Sequence, residues 1–270
     1  MFPLPVAKAG LVFFVGLLIF SPITAPAAVA DSGAARITRV TKEVKIVPGR
    51  TLPARAASLR DNVSNGASIS TGAEGEVELT FPDQTVTRLG DHSVAGLTND
   101  SRTLELREGA VLFSAPKSSG VVVRSGGITA EIGGTTGMIE RHENLYLKVL
   151  VLEGTVRVYS RKIGESVLVT PGQMLITKPG TETLPEAVHF DLGQLYRTST
   201  LLNSGFAPLA RREEILREIR KQQSDPDLIH TNLIIYGRGT LVNLLPPTPE
   251  KTSPPAASPG SPKKSAPKSR

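Results

Sequence analysis

The chain is 270 residues long, has no cysteine and no tryptophan, and carries a formal net charge of +6. Without cysteine, disulfides, thiolate chemistry and zinc–cysteine sites are excluded together, so the fold must be held by its core. Lys8 and a tail with five basic residues and one acid hold most of the excess charge; residues 31–245 are near neutral, which argues against a nucleic-acid face.

Residues 1–30 read as a secretory signal peptide. Lys8 supplies positive charge, Ala9–Phe20 is a twelve-residue apolar run, Ser21-Pro22 breaks it, and Ala28-Val29-Ala30 forms a small-x-small cleavage site before Asp31. A membrane-spanning helix needs about 20 apolar residues, so the run is short for a span. The expectation is an exported, periplasmic or extracellular chain with no transmembrane segment after signal removal. No cysteine stands at the junction, which excludes a lipoprotein.

Residues 31–185 form the expected β domain. Short strands alternate with Gly, Pro, Asp and Asn. Val77, Leu79 and Phe81 face one way and Glu78 and Thr80 the other, the pattern of a half-buried strand. Leu145–Leu152 is apolar on both faces apart from Lys148, which predicts a central strand. Phe81–Thr85 carries Pro82 and Asp83 at turn-favoured positions. Glu-Gly recurs before a strand at Glu74, Glu108 and Glu153. The echo favours a mainly β fold of stacked, solenoid-like strands over a β-sandwich, although Glu-Gly is also a common turn. The intervals are 34 and 45 residues, so there is no strict period.

Residues 186–245 form a helical and β appendage. A helix is expected from Asp191, with Leu192, Leu195, Tyr196 and Leu202 on one side. Pro208–Gln223 is the clearest helix, with Pro208 in its first turn and a Leu209, Leu216, Ile219 stripe. Leu233–Leu245 reads as two strands around Gly237-Arg238-Gly239. Residues 246–270 hold eight prolines with Ser, Ala and Lys and are expected to be disordered. The tail's positive charge suits contact with an anionic lipid or a cell-wall polymer.

The chemistry-bearing residues give little. His92, His142, His189 and His230 have no metal spacing. Asp91-His92-Ser93 holds triad residue types, but neighbours on an extended chain point to opposite faces. Asn62-Val63-Ser64 and Asn99-Asp100-Ser101 fit the N-glycosylation pattern in expected turns. Glu131–Glu140, with Gly133, Gly134, Thr135, Thr136 and Gly137, suggests a phosphate loop. No lysine follows Gly137 and no helix is expected after it, so a tight β crossing is the better reading. No catalytic residue, cofactor or metal is expected.

Ile69–Ser93 resembles the opening of the FecR domain: a Thr71-Gly72 turn, a strand ending in Phe81, a turn at Asp83, then Arg88-Leu89-Gly90 and Ser93. Leu104–Lys117 with Gly109 resembles its middle segment, Gly133–Gly137 its Gly-Thr-Thr element, and Gly154 and Gly172 its closing turns. The resemblance covers about residues 60–180. The best-known members are bacterial regulators that sense a loaded iron–siderophore receptor and control a sigma factor. Here no anti-sigma region precedes the apolar run, so the resemblance implies the domain and not the circuit. Gln84 stands where the family often has glycine. The expectation is a non-catalytic module acting by protein–protein contact in the envelope, with a reach into signalling. The alternatives are a secreted enzyme, a polysaccharide-binding protein or a cell-wall scaffold.

Overall fold

The computed structural model describes residues 35–49, 52–98, 100, 102–225, 233–237 and 240–244. The expected signal peptide and the Pro/Lys-rich tail lie outside the described residues, as do His230, Asn99 and Ser101. The strands are β1 (Ala35–Thr41), β2 (Val44–Val47), β3 (Arg55–Ala56), β4 (Asn62–Val63), β5 (Ser68–Thr71) and β6 (Glu76–Thr80). Then come β7 (Val86–Leu89), β8 (Val94–Leu97), β9 (Thr103–Ser114), β10 (Val121–Ser125), β11 (Ile128–Ile132) and β12 (Thr136–His142). The series continues with β13 (Tyr146–Glu153), β14 (Val156–Ser160), β15 (Glu165–Val169), β16 (Gln173–Thr177) and β17 (Val188–His189).

These strands make two layers. One sheet runs β4-β1-β6-β7-β9-β12-β13-β16-β17. The other runs β3-β2-β5-β8-β9-β10-β11-β14-β15. The long β9 belongs to both, crossing from one layer to the other near Gly109, where φ is +86°. Past β5, strands enter each sheet in chain order. The mainly β, stacked expectation is thus present in the strand order, and the sandwich alternative is present in the two facing layers.

Alternation explains the layers. Val77, Leu79, Val111, Phe113 and Val149 of the first sheet meet Ile46, Ile69, Leu106, Ile132 and Val158 of the second in one core. On the far face of the first sheet, Leu112, Leu150 and Met174 meet Phe190, Leu195, Ile215 and Ile219 from the C-terminal segment. A sheet buried on both faces must be apolar on both faces. That accounts for the continuous run of β13, which lies between β12 and β16.

All three Glu-Gly turns sit where the chain passes between layers: before β6, inside β9 and before β14. The first two crossings lead into the covered sheet and the third leads out of it. The echo is one corner device used in both directions, which is why it has no fixed interval.

The β6–β7 hairpin closes with Phe81 N–H donating to the Thr85 carbonyl and Gln84 N–H to that of Phe81, while the Asp83 carboxylate accepts from Thr85 N–H. Gln84 has φ +68°. This is the three-residue loop whose last position is left-handed, which is why glycine suits it.

The C-terminal segment differs in detail from expectation. Asp191 caps α1 (Leu192–Thr198), accepting from Gln194 N–H at 2.7 Å. The chain becomes extended at Ser199 and resumes as α2 (Thr200–Asn203), giving two short helices instead of one. The next helix, α3 (Arg212–Ser224), starts four residues beyond Pro208. Its N-cap, Arg211, is drawn out to Glu153 and makes no side-chain cap bond. Asn62 and Val63, expected in a turn, are the short strand β4 beside β1. The hairpin of β18 (Leu233–Gly237) and β19 (Thr240–Leu244) pairs as the sequence suggests.

Candidate functional site

The glycine-threonine stretch lies at the crossing from β11 to β12, where three connections between layers stack. Ala115 N–H donates to the Thr135 carbonyl, and Gly134 N–H to the Pro116 carbonyl. The buried Thr135 hydroxyl donates to the Thr155 carbonyl at 2.8 Å, and Thr155 N–H returns to it. Gly134 and Gly154 have φ +61° and +76°, and a Cβ on Gly154 would stand 2.5 Å from the Gly134 carbonyl oxygen. Two backbones touch here, so neither position has room for a side chain or the dihedrals for one. Thr136 donates to Glu153 and bonds Ser114. Gly137 packs against Phe113 and β13, and Gly133 lies beside the Ser119 carbonyl. These hydroxyls and the Gly134 amide are spent on the chain's own carbonyls, the Ser114 hydroxyl and the Glu153 carboxylate.

A second column of crossings holds Thr71, Gly72, Gly90 and Gly109. The Thr71 hydroxyl donates to the Gly90 carbonyl at 2.6 Å and accepts from Ser93 N–H. Gly72 N–H donates to the Glu43 carbonyl. Ser93 is fully buried beside Gly109, and its hydroxyl accepts from Ala110 N–H. His92 points out, its side chain 71% exposed, 3.5 Å from the Asp91 carboxylate. The triad residue types therefore split: the serine is a structural pin and the histidine faces solvent. Phe81 packs at the edge of the main core, and Gly172 sits under Gln222 of α3.

Arg88 plays a different part. It lies on the covered face of β7 and is 1% exposed. Its Nε donates to Glu78 at 2.8 Å, directly across the hairpin, and its Nη1 to the Leu201 carbonyl at 2.8 Å. Its remaining nitrogen reaches the Ala207 carbonyl, and the Phe206 ring lies 4.3 Å from the guanidinium. Burial lowers the Arg88 pKa and Glu78 opposes that. Arg39 donates to the Ser204 and Gly205 carbonyls, and Ser204 donates to Glu76. Farther along, Arg211 forks onto Glu153 through Nε and Nη2, a hydrogen bond that raises the arginine's pKa. The 199–211 arm is thus fastened to the sheet by cations at both ends.

A third polar group lies at the other end of β12 and β13. Glu140 and Lys148 pair at 3.0 Å, each 2% exposed. Burial lowers the Lys148 pKa, with Glu140 opposing. The Tyr146 hydroxyl donates to Glu140 at 2.9 Å; burial, then the carboxylate, pushes that phenol above its ordinary range. His142 sets one ring nitrogen 3.0 Å from Glu140 and the other 3.6 Å from Glu108. Both ring nitrogens thus face carboxylates, with a hydrogen bond to Glu140.

The FecR resemblance singled out the glycines and Arg88, but Glu78, Glu153, Arg211 and the Glu140–Lys148 pair were not marked by the sequence as ionic partners. Two of these were within reach. Glu78–Arg88 and Glu140–Lys148 are directly opposed across hairpins, so counting back from each turn finds them.

The model of the FecR protein family matches residues 67–157. No curated protein matches the chain. Two crystal structures of a "putative anti-sigma factor" from Parabacteroides distasonis are similar to it, at 14% and 17% identity with TM-scores of 0.41 and 0.40. They cover 65% and 64% of this chain, and 82% and 84% of their own. The matched stretch runs from the start of β5 into β14, while β1 and β16 join its sheets through β6 and β13. The chain carries a FecR-like domain, matched over residues 67–157 and continued by strands on either side.

Proposed function

We propose that this chain is an exported, non-catalytic module of the bacterial envelope that acts by contact with another protein, in a regulatory role. The FecR match carries the reading. The residues that create the resemblance support it: Thr71, Thr135 and the crossing glycines turn the chain, and Arg88 seats the arm. The domain limits proposed here are a signal peptide at 1–30, the β domain at 31–185, the appendage at 186–245 and a disordered tail at 246–270. No helix among the described residues is long and apolar enough to cross a membrane.

The C-terminal segment occupies one face of the first sheet, which leaves the second sheet and the ends of the layers uncovered by it. Crosslinking and affinity capture of the full chain from its own envelope test the proposal. A reproducible envelope protein, retained after glycan digestion, is the expected result. Recovery of glycan alone would sink it.

A further inference from the structure

Two cavities open at the end of the layers where the β10–β11, β12–β13, β14–β15 and β16–β17 turns gather. One measures about 190 Å³ and the other about 390 Å³, and they meet across the Gly126-Gly127 turn. Together they are lined by five cations: Arg124, Arg141, Arg161, Lys162 and Lys178. None of the five is in an ion pair among the described residues. The one carboxylate lining them, Glu105, lies 3.8 Å from Arg107. The residues 31–245 are near neutral overall, so this concentration is local. Arg88, Lys148 and Arg211, by contrast, each hold a carboxylate.

The floor of the smaller cavity is apolar. Ile128 and Leu147 are buried core residues, and Ile163 packs on the same core. Its two rings, His142 and Tyr146, lie against each other with centroids 4.9 Å apart, and the half-buried tyrosine has its hydroxyl engaged by Glu140. No exposed aromatic platform of the kind that stacks sugars is present in the lining. An apolar slot rimmed by unpaired cations fits a peptide with one aliphatic side chain between carboxylates.

We infer that this open end docks an acidic segment of a partner protein, an aliphatic residue entering the slot and flanking Asp or Glu meeting Arg141, Lys162 and Lys178. The inference rests on the protein-contact reading above and gives that partner its chemistry. Exposed cations set the on-rate and the salt dependence, and the slot sets the register.

The test uses the full chain and a synthetic peptide with leucine between two pairs of acidic residues. Binding is expected to weaken by at least about tenfold in the Arg141→Glu/Lys162→Glu double variant, circular dichroism unchanged. Raising salt from about 50 to about 500 mM should weaken it similarly. Glycine in place of the leucine should cost several-fold. Equal binding of the glycine peptide, or tighter binding of polygalacturonate or inorganic polyphosphate, overturns the inference. The double variant also separates the two readings. If it still captures the wild-type envelope partner, the docking site is wrong and the protein-contact role stands. If neither form captures a protein, the role itself fails.

Discussion

Arg88→Ala is the sharpest perturbation of this fold. The guanidinium is 1% exposed and holds Glu78, two carbonyls of the 199–211 arm and the face of Phe206. Removing it leaves the Glu78 carboxylate, whose side chain is 11% exposed, facing a cavity. Breaking one side of such a pair costs about 3–5 kcal/mol. At roughly 2–4 °C per kcal/mol for a domain of this size, the melting temperature should fall by about 6–20 °C. The loss should also be local. Amide exchange should rise first over 199–207, whereas β12 and β13 keep their protection, because Arg211 and α3 still cover them. Replacing both charges, as Arg88→Met/Glu78→Leu, should recover much of the stability, since no buried charge is then unpaired. Chemical denaturation read alongside hydrogen exchange measures both effects. A loss below about 1 kcal/mol with 199–207 still protected would refute the clamp.

Three further outcomes test the local arguments. Gln84→Gly removes a side chain from a left-handed position and should stabilise the chain by about 0.5–1 kcal/mol, read as a higher denaturation midpoint; a lower midpoint contradicts the turn assignment. Gly134→Val places a branched side chain at φ +61° beside Lys117 and should cost at least about 2 kcal/mol, while ATP should leave the wild-type melting temperature unmoved. A rise with ATP would revive the phosphate-loop reading. Asp100 accepts from the Thr98 hydroxyl, then the Thr103 hydroxyl and the Arg102 and Thr103 amides, which hold its pKa down to about 2. A depressed folded pKa adds stability above the ordinary carboxylate value and loses it as pH falls through about 2. The acid limb between about pH 4 and 2 should therefore flatten in Asp100→Asn; an unchanged limb means the 98–103 loop does not hold its carboxylate.

What the chain discloses by its sequence follows the range of the force involved. Strand alternation in Val77–Phe81 and the two-faced apolarity of β13 are local, and both are legible in the order of residues alone. The layer crossings carry a signature because a backbone-to-backbone contact such as Gly154 on Gly134 admits only glycine. The helix limits are less legible because the decisive partner is distant: Arg211 leaves the helix for Glu153, 58 residues earlier. Arg88 is the extreme case. Its carboxylate is ten residues away across a hairpin and can be found by counting, but its carbonyl partners lie 113 and 119 residues away in an arm with no pattern of its own. The open end is hidden for the same reason. Arg124, Arg141, Arg161, Lys162 and Lys178 look like scattered surface charge until stacking gathers four turns at one mouth. In a fold whose strands enter largely in chain order, neighbouring hairpins repeat a position along the stack, so residues spaced tens apart become one surface. A binding face of this architecture is therefore written across turns, and it is legible only once the order of the layers is known.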